Sequence, residues 1–244
     1  MDIEKLKSTF REHVLKYDMT DVNIIRKLYH SYRVMELCLL LAKNNNFNKE
    51  ATEISVLIGL LHDYSRFEQW SRFQTYSDIN SIDHGNLAVK RLFKDGEITN
   101  YCINKKYYDE IYDAIKYHNK YMYPNNLSDH NKIFCKVIRD ADKLDIFYLL
   151  GISNDLLKED EHDISAKIKE DFFNNKLLNR VDAKNQSDNI LLSLAMVFDL
   201  NFEYSFKYLH DRKLIDKIFE NIKDKEKFKI YFDYINDYIK NKIN

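Results

Sequence analysis

Residues 60–63 read Leu60-Leu61-His62-Asp63 and close the apolar run Ile54 to Leu61. A helix that buries Ile, Val and Leu gains nothing in packing from ending on an imidazole and a carboxylate. Buried without partners, both groups are costly. A divalent cation satisfies the two together, through the imidazole lone pair and a carboxylate oxygen. The dipeptide alone is a weak signal, and the chain repeats it at His162-Asp163 and His210-Asp211. The first repeat sits in the acidic run Lys158-Glu159-Asp160-Glu161-His162-Asp163. The second precedes Arg212-Lys213 at a polar helix junction. Both repeats are expected to face solvent, so context separates them from residues 62–63.

Three further histidines stand at apolar-facing positions or helix ends: His30 in Tyr29-His30-Ser31-Tyr32-Arg33-Val34, His84 in Asp83-His84-Gly85, and His118 beyond Ile111, Ala114 and Ile115. His13 and His130 fall on polar helix starts or faces. A second acidic cluster is Arg139-Asp140-Ala141-Asp142-Lys143-Leu144-Asp145. Asp142 is in helical line with Ile138, Ile146 and Leu149, and a carboxylate on such a stripe needs a cation or a strong donor. Asp140, Lys143 and Asp145 also fit an ion-pair network on the helix surface. Glu68 is a candidate acid or base. Phe67, Trp70, Phe73 and Tyr76 read as a lid packed on the core, the alternative being a stacking surface for a nucleobase.

The elements that must position these groups are helical. After a short N-terminal helix, Thr20 or Asp21 caps a helix to about residue 43, with His30, Val34, Leu37 and Leu41 as its stripe. Asn48 caps the helix that reaches His62. Residues 64–80 have no clear period and read as a long functional loop. Ser81 or Asp83 opens a helix ending before Asp95-Gly96, and another spans about 104–118. Ser128 caps a long helix to residue 150, with Gly151 as its C-terminal cap. Further helices are expected over about 164–174, 188–200 and 202–209, with a last pair over about 212–242. The fold class is all-α: one domain over 1–244, with a core at about 20–150 and a helical C-terminal extension over about 151–244.

Composition narrows the function classes. The formal net charge of -1 gives no general attraction for nucleic acid or an anionic membrane. No apolar stretch approaches the length of a membrane span. The N-terminal residues lack the apolar core of a signal peptide, so a cytoplasmic protein is expected. Cys38, Cys102 and Cys135 are scattered, odd in number and in helical contexts, which suits buried free thiols. Four glycines and one proline nearly exclude Gly-rich phosphate loops.

With these residues in place, the chain resembles the HD-domain superfamily of metal-dependent phosphohydrolases. The matching positions are His30, the pair His62-Asp63, and Asp142, in the family order His, His-Asp, Asp. The resemblance covers about residues 25–150. Leu61-His62-Asp63-Tyr64-Ser65-Arg66-Phe67-Glu68-Gln69-Trp70 followed by Asp83-His84-Gly85 looks like a bacterial subgroup of small HD proteins. Many members carry Ile-Gly after the His-Asp pair, where this chain has Tyr64-Ser65.

The resemblance implies an HD-domain helical bundle in which His30, His62, Asp63 and Asp142 hold a divalent ion (Mn, Fe, Co, Ni, Mg or Zn). Adding His84 and His118 gives the longer family order of a two-metal site bridged by Asp63. With one ion only, those two histidines would touch substrate phosphate. Both arrangements remain open from the sequence, at one or two metals per chain. The implied activity is hydrolysis of a phosphate ester or anhydride of a small phosphorylated molecule, including a nucleotide, by metal-activated water. Asp63, Lys143 and Arg66 are the catalytic candidates. His84, His118, Arg33, Arg66 and Lys143 are the substrate-binding ones. The alternatives are a di-iron oxygenase of the same superfamily and a nucleotide-binding module with little turnover.

Overall fold

Side-chain caps start most of the helices, and they are the Asp and Asn residues that terminate the polar connections. The computed structural model describes residues 2–102, 104–153 and 157–243. Asp2 caps α1 (Ile3–Val14), Asp21 caps α2 (Val22–Asn44), and Asn48 caps α3 (Lys49–Leu61), each accepting a first-turn N–H. Such caps contribute about 1 kcal/mol apiece. α4 spans Arg66–Phe73, and α5 (His84–Val89) is capped by Asp83 and widens into a π-turn over Lys90–Lys94. Asn104 caps a short 3-10 turn that leads into α6 (Tyr108–Tyr117). Ser128 accepts from the Asn131 N–H at the start of α7 (Asp129–Ile152). Then come α8 (Ala166–Phe173), α9 (Gln186–Leu194), α10 (Glu203–Asp211), α11 (Leu214–Glu220) and α12 (Lys225–Lys242). The described residues contain no strand, and the all-α class holds.

Three expectations need correcting. The run 64–80 is not a loop throughout, because α4 occupies its first half. Phe67 is its buried anchor, and Gln74 ends it in the left-handed conformation at φ 52°. Aromatic density hid a short helix that is held by tertiary contacts rather than by period. Gly151 is not a cap but lies inside α7, where an added Cβ would stand 3.3 Å from the Lys217 Cβ. It thus makes room for α11. Cys102 is half-exposed and outside the helices, whereas Cys38 and Cys135 are buried; all three are free thiols.

The chain divides into two compact units, residues 1–141 and 142–244, with α7 contributing to both. In the first, α2 packs along α3, and α5 along α6. Gly59 permits the first contact: a Cβ there would lie 2.8 Å from the Met35 Cα and 2.8 Å from the Cys38 Sγ. Gly85 permits the second, its Cβ meeting the Asn119 Oδ1 at 2.7 Å and the Lys116 carbonyl at 3.0 Å. Both glycines stand within one turn of a histidine singled out above. In the second unit α12 packs on α9, α10 and α11 around Ile190, Leu194, Phe228 and Phe232. Its acidic run is pinned rather than simply solvated: the Glu159 carboxylate accepts from the Lys223 and Asp224 N–H groups, and Asp160 from that of Gln186. No helix among the described residues is long and apolar enough to cross a membrane.

Candidate metal centre

The close approach of α2 and α3 brings His30 against His62, with their Nε2 atoms 3.2 Å apart. Each of these nitrogens lies 3.4 Å from Asp63 Oδ2. His62 Nδ1 is 2.8 Å from the Gly59 carbonyl, so that nitrogen carries the proton and Nε2 is left as a lone pair. Ligands held about 2.0–2.2 Å from one ion at tetrahedral to right angles are separated by about 2.8–3.6 Å. The three atoms meet that spacing, and His30, His62 and Asp63 form a group able to hold a metal ion.

The other oxygen of the same carboxylate serves a second group. Asp63 Oδ1 is 3.4 Å from His84 Nε2 and 3.7 Å from His118 Nε2, and these two nitrogens stand 2.9 Å apart. His118 Nδ1 donates to the Ile115 carbonyl at 2.7 Å. His84 Nδ1 lies 2.7 and 2.8 Å from the two oxygens of Asp78. Burial pushes the His84 pKa down to about 3 against the pull of Asp78, so the ring is neutral near pH 7. Both Nδ1 atoms are engaged in this way, and the two Nε2 atoms face each other at 2.9 Å. A cation held between the rings would take a lone pair from each. The donor set thus fits a metal on both sides of Asp63.

All five residues are buried. Burial opposes the charge on Asp63, but the Lys27 ammonium, His62, and hydrogen bonds from His118 and His30 hold its carboxyl well below the ordinary range. Lys27 Nζ is 2.6 Å from Oδ2, and Arg66 Nε is 3.3 Å from Oδ1. Lys27 escaped the sequence reading; the available signal was its place three residues before His30, on one helix face.

The segment from Arg66 to Asp83 holds the second histidine pair in place. Arg66 Nη1 donates to Gln69 Oε1, the Tyr76 carbonyl and Asp78 Oδ1 at 2.6, 2.7 and 3.1 Å. Gln69 Nε2 lies 2.9 Å from each of Asp78 Oδ1, Ser81 Oγ and the Ile82 carbonyl. Ser65 Oγ donates to the His84 carbonyl. Asp78, also missed from sequence, stays ionised because hydrogen bonds from His84 and Gln69 and the Arg66 charge outweigh its burial. Glu68 does not join this group: Arg91 grips it through Nε and Nη2, and Arg72 adds a third bond. Trp70 donates to Asp21 and lies tilted against Tyr76, 4.9 Å between ring centroids, and the Tyr76 hydroxyl donates to the Asn23 carbonyl. These two rings of the aromatic run are tied to α2, as a packed lid requires.

The remaining candidates fall as follows. Arg33 is half-buried, about one turn after His30 on α2. Asp142 and Lys143 belong to the second unit, where Lys143 Nζ lies 2.6 Å from Asp199 Oδ2. Asp142 is half-buried, whereas Asp140, Lys143 and Asp145 are buried. The surface ion-pair reading of those three is overturned, because α7 buries the side carrying Val137, Ala141 and Leu144. His13, expected on a polar face, is buried and stacked on Tyr64 at 3.8 Å between ring centroids. Its Nε2 donates to the Tyr64 carbonyl at 3.1 Å, and burial lowers its pKa to about 4. His162 and His210 are exposed, beside Asp160 and Asp211.

A family model described as HD domain matches residues 28–146. The matched stretch, just under half of the chain, contains His30, His62, Asp63, His84, His118 and Asp142. No curated protein and no solved structure matches the chain.

Proposed function

We propose that this chain is a metal-dependent phosphohydrolase that cleaves a phosphate ester or anhydride. We place it with the small bacterial HD proteins that carry the HD-x-x-RFEQ and DHG patterns. His30, His62, Asp63 and Asp142 hold one divalent ion in this reading, and Asp63, His84 and His118 hold a second. The observation that carries it is the pair of Nε2 atoms of His84 and His118, 2.9 Å apart beside one oxygen of a carboxylate whose other oxygen faces two imidazoles.

Bound there, the metal acidifies a water and withdraws charge from the phosphoryl oxygens. Asp63 orients both halves of the site through its two oxygens. Lys27 and Arg66 keep Asp63 ionised and fixed. Arg66 spends Nε and Nη1 on the protein, which leaves Nη2 for a substrate oxygen. Arg33 and Lys143 are further cations for the phosphate, and Lys143 would have to exchange its Asp199 partner to reach it. Neutral imidazoles and two carboxylates leave a net positive charge around two divalent ions. That excess suits a dianionic terminal phosphate, as on a nucleoside monophosphate or sugar phosphate.

The test is phosphate release from a panel of nucleotides and sugar phosphates by metal-free protein, with Mn, Fe, Co, Ni, Mg and Zn added in turn. Release that depends on metal and disappears in Asp63→Ala is the expected result. Absence of release with every pair overturns the reading. The bridged histidine set equally suits an iron pair, and oxygen uptake with iron but no phosphate release would point to oxidative cleavage. Nucleotide binding without either reaction would identify a binding module.

A further inference from the structure

The two halves of the centre differ in what holds their imidazoles. His62 and His118 each bond a carbonyl within their own helical turn, three residues earlier. That partner is given by the helix itself. His84 is the first residue of its helix and has no preceding turn to supply a carbonyl. Its Nδ1 is met instead by Asp78, six residues earlier on the connection from α4.

We propose that Asp78 is the positioning residue that makes His84 a cation ligand. By accepting the Nδ1 proton it fixes the tautomer that leaves Nε2 bare, and it fixes the ring plane toward His118 and Asp63. The inference rests on the two-ion reading above, and it assigns to this one carboxylate the competence of the second half. A carboxylate behind a metal-binding imidazole also raises the basicity of the ring, and its loss costs ten- to a hundred-fold in metal affinity.

The surroundings of Asp78 fit this role. Oδ1 accepts from Arg66 Nη1 at 3.1 Å and Gln69 Nε2 at 2.9 Å, while Oδ2 accepts from Asn119 Nδ2 at 2.9 Å. Donors thus surround the carboxylate, and the Asn119 amide nitrogen also lies 3.2 Å from His84 Nδ1, farther than either Asp78 oxygen. Gly85 lets α5 approach Asn119 closely enough for that framework to close, since a Cβ there would meet Asn119 Oδ1 at 2.7 Å. The Arg66 and Gln69 of the sequence pattern therefore act on the second half through Asp78, as well as on Asp63 directly.

Asp78→Asn tests this with little change of shape. The Asn carbonyl keeps the place of Oδ1, so Arg66 and Gln69 retain their acceptor. The amide nitrogen, at the place of Oδ2, turns a donor toward His84 Nδ1 and toward the Asn119 amide, so the carbonyl is the one oxygen left to the His84 proton and the balance shifts toward protonation at Nε2. Two readouts decide. Long-range proton–nitrogen NMR correlations of the metal-free protein report which His84 nitrogen carries the proton. We expect Nδ1 in the parent chain and Nε2 in the variant. Calorimetric titration with Co(II) reports stoichiometry and affinity. We expect two ions in the parent. In the variant, binding to the His84 half should weaken ten- to a hundred-fold, with binding to the His30 half unchanged. Asp78→Glu, which restores a carboxylate, should recover part of the loss if position is what matters.

An unchanged His84 tautomer together with unchanged affinity for the second ion in Asp78→Asn overturns the proposal. Equal weakening of both ions overturns it too, because that marks a general loosening of the loop. If the parent binds a single ion while His84 holds its Nδ1 proton, the two-ion reading fails, and the role for Asp78 falls with it although the hydrogen bond stands.

Discussion

The two sides of Asp63 are built differently. His30 and His62 stand on α2 and α3, two regular helices of 23 and 13 residues that touch along Gly59. His84 and His118 stand at the ends of short helices of 6 and 10 residues, and the His84 side leans on an irregular connection. One side is positioned by packing of long apolar faces. The other is positioned by a network of polar side chains, in which each bond is strong only while its neighbours remain. The first side should therefore tolerate changes in the connection, and the second should not. One carboxylate is common to both.

Asp63→Ala removes what the two sides share and should have the largest effect. The variant loses both carboxylate oxygens and leaves the Lys27 ammonium without its 2.6 Å partner. Metal-dependent phosphate release should fall below detection, and metal content after dialysis should drop toward zero. Retention of one tightly held ion would show that the sides do not depend on a common ligand.

His84→Ala and His118→Ala separate the sides. Each should remove about one of two ions and lower turnover while the His30 side keeps its own. If the two histidines instead touch substrate phosphate, metal content stays at one. Turnover then falls by about ten- to a hundred-fold, the worth of a charge-assisted hydrogen bond of about 1.5–3 kcal/mol. Measuring metal content and turnover together distinguishes the cases. Unchanged values of both would take the two residues out of the site.

How far each side could be read from sequence follows the same division. Capped, periodic helices announce themselves: Asp21, Asn48 and Asp83 cap where their polar clusters end, and His30, His62, His84 and His118 are buried as their apolar-facing or terminal positions require. Lys27 and Asp78 gave no such sign. Each is a polar residue in a polar stretch, and its importance lies in a partner 36 residues away for Lys27 and across an irregular turn for Asp78. His13 was misjudged because its neighbours on α1 are charged, while the ring itself enters the packing of Phe10, Tyr64 and Phe67. The side of α7 that carries Asp140 and Asp145 was misjudged because two buried carboxylates outweighed Val137, Ala141 and Leu144 in the pattern. Buried ionisable groups mislead a hydrophobic period wherever tertiary partners compensate them.

Gly59→Ala probes the packed side by its scaffold. The added methyl would lie 2.8 Å from the Met35 Cα and 3.0 Å from the Val34 carbonyl, and backbone atoms yield poorly. Overpacking of this kind costs about 1–3 kcal/mol. Chemical denaturation should show that loss. The His30–His62 spacing should widen with it, so affinity for the first ion should fall more than for the second. Loss confined to the second ion would reverse the assignment of the two sides.

His13 offers a pH test outside both sides. Its pKa in the folded chain is about 4, below the ordinary value of 6.5, because the ring is buried. Between those values the unfolded chain takes up a proton that the folded chain refuses, so stability falls as pH drops from about 6.5 toward 4. One such group contributes a slope of up to about 1.4 kcal/mol per pH unit and none above that window. His13→Phe keeps a ring against Tyr64 and loses the bond to its carbonyl, at about 1 kcal/mol near pH 7. Its stability should then be flatter in acid. Denaturation midpoints of both metal-free proteins from pH 7 to 4.5 measure the difference, and parallel curves would contradict the burial of this imidazole.

The smallest expected effect sharpens the comparison most cheaply, because it asks what separates one His-Asp pair from two others of the same composition. His62 is fully buried, with one nitrogen committed to a carbonyl and the other facing His30 and Asp63. His210 lies exposed beside its own Asp211, and His162 is exposed beside Asp160. An exposed imidazole near one carboxylate in water gains about 0–1 kcal/mol and offers a metal no second ligand at fixed distance. His210→Ala and His162→Ala should therefore leave metal content and turnover unchanged and shift stability by less than about 0.5 kcal/mol. A fall in metal content in either variant, with folding preserved, would mean that ligands are recruited from the second unit and that burial is not what distinguishes residues 62–63.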